Sequence, residues 1–390
     1  MNDLDLYEAP EAASKMLVAA MGLIGSLSTT QRDYLWLSMD DPARQDWDII
    51  PRPEHTGLSL HDLSAAQRIL VWDLLAQALP ERTFTQATLV PQLEHVLRDY
   101  EAGFLGRAIN SWRDPLNYFV TIFGRPGFED TWAFRFYGHR LGINLTVIKE
   151  RWIIAGPSAM GQQPVLYDGV NRPLHDEESA AFAIIDSLGE DKLARAVIHP
   201  VSPADFVTRY VPRIGPVEYP DVIDLGMPQY RLADKDRVAT RLVRDEPSGI
   251  AASELDETQQ KHLLTIVDRF LERHPKPIAV KLQQDVRDRG LDRVHFTWAG
   301  DIRPGTPHYF RIQTERFLIE QVNSVQSGNH IHSVLRDFNH DLGGDLLADH
   351  HPKPVPDVMP GVAEGNTRKV SSSTRDPGLG GTASSLPSMH

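Results

Sequence analysis

The chain has no cysteine among its 390 residues. That excludes disulfides, thiolate metal sites and a cysteine nucleophile, and it fits a reducing cytoplasm. No run of eighteen apolar residues occurs, so no transmembrane helix is expected. The opening MNDLDLYEAPEAASKM is acidic and lacks the basic and apolar regions of a signal peptide. Positive charge is in deficit: 53 acidic against 40 basic residues give a net charge of -13. A surface of that sign does not attract nucleic-acid backbones or anionic membranes. The expectation is a cytoplasmic protein with a small-molecule substrate, no nucleic acid and no membrane. Nothing in the sequence sets an oligomeric state. No Gly-x-Ser-x-Gly, P-loop or dinucleotide fingerprint is present, and no internal repeat is visible.

What is there reads as helices, strands, helices, strands. Ala12, Met16, Leu17, Ala20, Met21, Ile24 and Leu27 repeat at helical spacing over 1–30. Ser64 caps a second helix that carries Ile69, Leu70, Trp72, Leu74 and Leu75 and ends near Pro80. A third runs from about Thr85 to Tyr100. Strands then follow: YFVTIFG (118–124), WAFRFYGH (132–139) and LGINLTVIKERWIIAG (141–156). Helices are predicted at 177–188, 256–273 and 278–289, with a short one over 201–210. Strand character returns in VHFTWAG (294–300), PHYFRIQ (307–313), RFLIEQV (316–322) and NHIHSVL (329–335). The predicted class is α+β, with one antiparallel sheet built from two distant segments, 117–156 and 293–336, and helices packed on one face. Residues 1–351 are expected to form one domain, mainly helical over 1–105, and 352–390 a disordered tail rich in Pro, Ser and Gly.

The chemistry concentrates in histidines on these strands. Side chains alternate with period two, so His330 and His332 share a face, about 7 Å apart along the chain. Antiparallel pairing would bring His308, Glu320, His330 and His332 together, and His139 ends the 132–139 strand. Imidazoles and one carboxylate on rigid backbone are what zinc requires; copper and iron accept the same donors. In this reading His139, His308, His330 and His332 are the metal ligands. Glu320, which interrupts an apolar run, is the base that takes a proton from metal-bound water. Arg135, Tyr137 and Arg311, on polar strand faces, are candidates to bind an anionic substrate.

The blocks FRFYGHRLGINLTVI (134–148), FTWAG (296–300), GTPHYFRIQTERFLIE (305–320) and GNHIHSVLRDFNHDLGGDLLADHH (328–351) occur together. In this combination the chain resembles, from about Trp47 to His351, a bacterial and fungal family known as a domain of unknown function, number thirty-five hundred. The resemblance implies that these blocks belong to one domain, and it implies no reaction. The residues themselves lead to an expected metal-dependent enzyme, hydrolytic, with a mononuclear histidine site. The alternatives are a copper or non-haem iron oxygenase and a non-catalytic small-molecule-binding protein.

Overall fold

In the computed structural model the described residues are 6–51, 55–105, 113–165, 172–214, 238–323 and 328–344. The segment expected to be a disordered tail, 352–390, lies outside them. The α+β class is confirmed. No helix among the described residues is long and apolar enough to cross a membrane.

The first helical stretch divides in two. Helix α1 (Pro10–Ser26) stops where Ser28 and Gln31 form a capping box that starts α2 (Thr29–Leu35). Strands β1 (Trp36–Leu37) and β2 (Leu58–Ser59) are short. Helices α3 (Ala65–Ala78) and α4 (Glu81–Leu105) follow. Four long strands then form a meander: β3 (Tyr118–Gly124), β4 (Thr131–Gly138), β5 (Leu141–Ile148) and β6 (Trp152–Gln162).

After β6 the same order of elements returns. Helices α5 (His175–Ser187) and α6 (Glu190–Ala196) precede the short strands β7 (Val197–His199) and β8 (Ile250–Ala251). Helices α7 (Glu257–Leu271) and α8 (Lys276–Arg289) come next. A second meander closes the domain: β9 (His295–Gly300), β10 (His308–Gln313), β11 (Phe317–Asn323) and β12 (Ile331–Asp337). The stretch 201–210, predicted as a helix, forms turns instead.

The chain is therefore a tandem repeat, which its sequence does not show. The twelve-stranded sheet runs β1-β3-β4-β5-β6-β12-β11-β10-β9-β7, with β2 on β3 and β8 on β9. This order is palindromic about the antiparallel β6–β12 pair, so a pseudo-twofold rotation relates the halves. The register makes the repeat residue-specific. Arg135 stands between Thr121 and Asn144, and Arg311 stands between Thr297 and Glu320. The Thr121 hydroxyl donates to Thr56 O at 3.1 Å, and that of Thr297 donates to Ser248 O at 2.8 Å.

Two glycines explain the close approach at these places. Gly57 has φ +127°, and a Cβ there would lie 2.4 Å from Thr121 Oγ1; Gly249 has φ +89°, and its Cβ would meet Phe296 O at 2.1 Å. Only glycine tolerates both the angle and the contact.

The helices cover one face of the sheet with a core that includes Met16, Leu74, Phe136, Leu263, Phe270, Phe310 and Ile331. The other face is not solvated. Trp47, Ile49 and Phe206, from the long connections that follow β1 and β7, pack there on Ala159, Tyr309, Val322 and Val334. That face carries polar side chains as well, and they are buried. Arg135 is 1% exposed: Nη1 donates to Ala43 O (2.8 Å) and Asp46 O (2.9 Å), Nη2 to Arg44 O, and Nε to Asn144 Oδ1 at 2.9 Å. Arg311 donates to Thr240 O and Ser248 Oγ, and the Tyr137 hydroxyl to Thr56 O. The three residues expected to bind substrate instead hold the covering chain against the sheet, because that chain has no ladder of its own to satisfy its carbonyls.

Each half also ties its first helix to its third. Gln67 and Gln259 complete capping boxes with Ser64 and Asp256, and their amides donate to Ser26 O and Ser187 O, both at 2.9 Å. Gln67→Ala and Gln259→Ala are each expected to lower unfolding stability in urea by about 1–2 kcal/mol. The larger loss is expected at Gln259, which is the more deeply buried.

Candidate functional site

The site forms at the end of the sheet where the β4–β5 hairpin meets the end of β6 and the start of β12. Gly138 pairs with Leu141, which leaves His139 and Arg140 as a two-residue loop. Arg140 sits at φ 64°, a left-handed conformation that costs a side chain roughly 1–2 kcal/mol. Its backbone is held there: Arg140 N donates to Ile49 O at 2.9 Å, and Gly161 N donates to Arg140 O at 2.7 Å.

The two histidines of the His-x-His touch. Their Nε2 atoms are 2.8 Å apart, and Arg140 Nη2 is 3.1 Å from that of His330. Arginine can only donate, so His330 Nε2 presents a lone pair. His332 must then donate from its own Nε2. Its Nδ1 lies 3.1 Å from Asp205 Oδ1, which accepts from it. The Tyr210 hydroxyl donates to the other oxygen of Asp205 at 2.9 Å. Burial pushes Asp205 up, but the charge and hydrogen bond of His332 outweigh it and hold the carboxyl below its ordinary range. Burial, then Arg140 and then His332, hold His330 neutral, far below the usual imidazole range.

His139 belongs to a second chain of groups. Its Nδ1 makes a short contact with Glu94 Oε1, and Arg113 Nη1 lies 2.8 Å from that nitrogen. Arg113 in turn grips Glu101 with two bonds, at 2.8 and 3.0 Å. Burial raises Glu94 to about 7 against the pull of Arg113. Burial also drives His139 well below its usual value, with Arg140 and Arg113 adding to the effect. Burial brings Arg140 itself down to about 9. At neutral pH the cluster holds two guanidinium groups, a neutral His139 and a Glu94 that shares its proton with it.

Of the expected ligands, the fold brings His139, His330 and His332 to this end of the sheet and sends His308 elsewhere. His308 pairs with Asn323, which pairs with Ile331 of the helix-side core, whereas His332 pairs with Val322 of the opposite core. His308 and His332 therefore face opposite sides. The expected four-residue cluster fails on register: the three strands place 308 and 332 one step out of phase. His308 stacks on Trp298, with ring centroids 5.1 Å apart, and its Nε2 lies 3.3 Å from Glu178.

Glu320 does share the face of His332, but its oxygens are occupied. Oε1 accepts from Val207 N (2.7 Å) and the Tyr309 hydroxyl (2.9 Å); Oε2 accepts from the Thr208 hydroxyl and, at 3.4 Å, from Thr208 N. It is an anchor for 206–208, the turn that carries Asp205, and has no lone pair to spare for a reaction. Among the described residues no group of three or more His, Asp or Glu is spaced to hold a metal ion.

Sequence reasoning missed Glu94, Glu101, Arg113, Arg140, Asp205 and Tyr210. Glu94 and Glu101 were readable: seven apart, they fall on one helix face beside the apolar positions Leu93 and Leu97. Arg140 sits in GHRLG between two strands, with no pattern to mark it. Asp205 lies in 201–210, predicted as a short helix and not as part of a site.

The raised carboxyl gives a pH test. Native Glu94 keeps its proton up to about 7, while a free carboxyl of this kind loses it near 4.5. Between those limits native Glu94 holds a proton that the unfolded chain has lost, so this group makes stability fall as pH rises, while the buried neutral His139, His330 and His274 make it rise below the usual imidazole range. Glu94→Gln is expected to remove the falling share, so that its stability relative to the wild type increases from pH 4.5 to 8, measured by urea unfolding. Asp341, raised to about 6 by burial, gives a slope of the same sign that the variant keeps.

Neither a curated protein nor a solved structure matches the chain. A family model does, over residues 9–344, and this span takes in both meanders, the hairpin and the histidine pair. The chain therefore belongs to the family described as Protein of unknown function (DUF3500).

Proposed function

We propose that this protein is an enzyme that moves a proton through the His332–His330 pair, acting on a small-molecule substrate by hydrolysis. The observation that carries the reading is the chain of contacts Asp205–His332–His330, with 3.1 and 2.8 Å between its members. It contains the parts that acid–base catalysis needs. Asp205 orients one imidazole, and burial keeps the next imidazole neutral. In this reading substrate and water displace the His332–His330 contact; His332 then protonates the leaving group with the proton it had shared, and the freed lone pair of His330 takes the proton of water. The side chain of His332 is 13% exposed, so the pair is within reach of solvent. Glu320 takes no part. A cytoplasmic setting fits a chain without cysteine.

A second reading makes the same histidines ligands of one divalent ion, zinc before copper or iron, with oxygenation as the chemistry of the redox metals. Its support is the convergence of the two Nε2 atoms, with a carboxylate on the outer nitrogen of His332, as metal-bound imidazoles are commonly held. Arg140 weighs against it, since its guanidinium, 3.1 Å from His330 Nε2, would repel a divalent charge there.

The test is a panel of carboxylic esters, amides and phosphoesters, assayed on untagged protein with and without chelator. Turnover is expected to survive chelation and to fall by about 10²-fold or more in His332→Gln. Asp205→Asn is expected to lower it as well, since the amide has no negative charge with which to hold His332. Loss of turnover on chelation, with stoichiometric metal in the untreated protein, would establish the metal reading. No turnover on any substrate would leave a binding protein.

A further inference from the structure

The repeat provides an internal comparison for Arg140. Its counterpart in the second half is Arg316. Arg135 and Arg311 are equivalent by register, and each is followed five residues later, without insertion, by the arginine of a two-residue loop. Glu315 and Arg316 lie between Thr314 and Phe317, as His139 and Arg140 lie between Gly138 and Leu141. The backbone beyond is equivalent too: Phe338 N donates to Arg316 O at 2.9 Å, as Gly161 N does to Arg140 O at 2.7 Å.

That correspondence identifies what differs. Phe317 pairs with Asp337, and Leu141 pairs with Met160. In the second half Asp337 Oδ2 lies 3.5 Å from Arg316 Nε and neutralises it. In the first half the equivalent position is Met160, a fully buried thioether that offers no charge. Arg140 is as deeply buried, at 3% exposure, yet its side-chain partners are neutral: Gln163 Oε1 and His330 Nε2. No carboxylate among the described residues lies within ion-pair distance of it. Its Nε is buried and has no hydrogen-bond partner. A buried guanidinium is costly unless a counter-charge meets it. Of the carboxyls whose charge acts on it, Glu94 carries a proton to about pH 7, and Glu101 is taken up by Arg113.

We infer that Arg140 is the recognition group for an oxyanion, a carboxylate or a phosphate on the bound molecule, which occupies the role that Asp337 fills in the other half. The guanidinium supplies its free Nε–H and the charge. His330, in contact with it, and His332 beyond lie beside the reacting part of the same molecule. The inference deepens the proposed function and rests on it only for which atoms react; anion recognition stands or falls by itself.

The experiment is isothermal titration of the full chain with inorganic phosphate and, separately, with succinate, at constant ionic strength set by chloride. One saturable equivalent of at least one probe is expected to bind. Phosphate alone points to a phosphorylated substrate and succinate alone to a carboxylic acid. Arg140→Gln is expected to raise the dissociation constant about tenfold or more, because it removes a charge-assisted bond. If that variant does not give a native circular dichroism spectrum, Arg140→Lys is used. It keeps the charge and loses the fork, and weaker binding is again expected. His332→Gln should keep the anion and lose turnover. Absence of saturable binding of both probes to the wild type, or wild-type affinity in the folded Arg140 variant, overturns the inference. Arg140-dependent binding without turnover would uphold it and overturn the acid–base reading alone.

Discussion

Irregular chain can lie on a sheet only if its carbonyls find donors. Here both faces of a twelve-stranded sheet are covered, one by helices and the other by the connections that follow β1 and β7, whose described residues are mainly turns and extended chain. Helices satisfy their own backbone; the connections do not. Buried arginines that rise from the strands supply the missing donors. Arg135 serves three carbonyls of 43–46, Arg311 serves Thr240, and Arg336 serves Val211 while it pairs with Asp341. A planar fork of five donors meets several acceptors at once, which lysine cannot do. The position of Asp205, and so of His332, follows from this arrangement together with Glu320, which grips the turn at 206–208.

The two halves use one plan for two purposes. At one end of the sheet the β10–β11 hairpin closes with charges satisfied inside the protein. At the other end the β4–β5 hairpin gathers His139, Arg140, His330 and His332 with acids from α4 and from the second connection. Because the two ends share a backbone frame, the difference between them lies in a few side chains: Met160 against Asp337, and Asn144 against Glu320. Asn144 donates to Pro157 O, inside its own half, whereas Glu320 receives the turn that brings Asp205 to His332.

Much of the fold was legible in the sequence because strong periodicities mark it. The cap at Ser64, the helix near 256–273, the strand WAFRFYGH and the strand runs near the C-terminus all read correctly. The repeat was hidden because its halves share few identities at equivalent positions. Val120 answers to Phe296 and Ile122 to Trp298, which preserves hydrophobicity but not residue type. Among the identities that persist are Gly57 with Gly249, Thr121 with Thr297, Phe134 with Phe310, Arg135 with Arg311, Arg140 with Arg316 and Gln67 with Gln259, too sparse a set to see without register. The histidine pair was legible from its spacing. The face of His308 was not, since one residue of register decides which side a strand residue takes. Polar residues of β4 and β10 were read as solvated because alternation usually means a wet face. The second covering layer comes from segments with no periodicity to announce it.

The seam between β6 and β12 has a consequence for how the molecule comes together. A separate half would expose the edge of β6 and leave without partners the peptide groups that pair across the seam, from Ser158 to Gln162. It would have to find a second molecule to close that edge, and its folding would depend on concentration. Joining the halves in one chain makes the encounter intramolecular, at an effective concentration set by the linker rather than by supply. Fusion also frees the seam from self-complementarity. On the axis Ser158 faces Leu335, not another Ser158, so each side of the joint can change without its partner having to change in the same way.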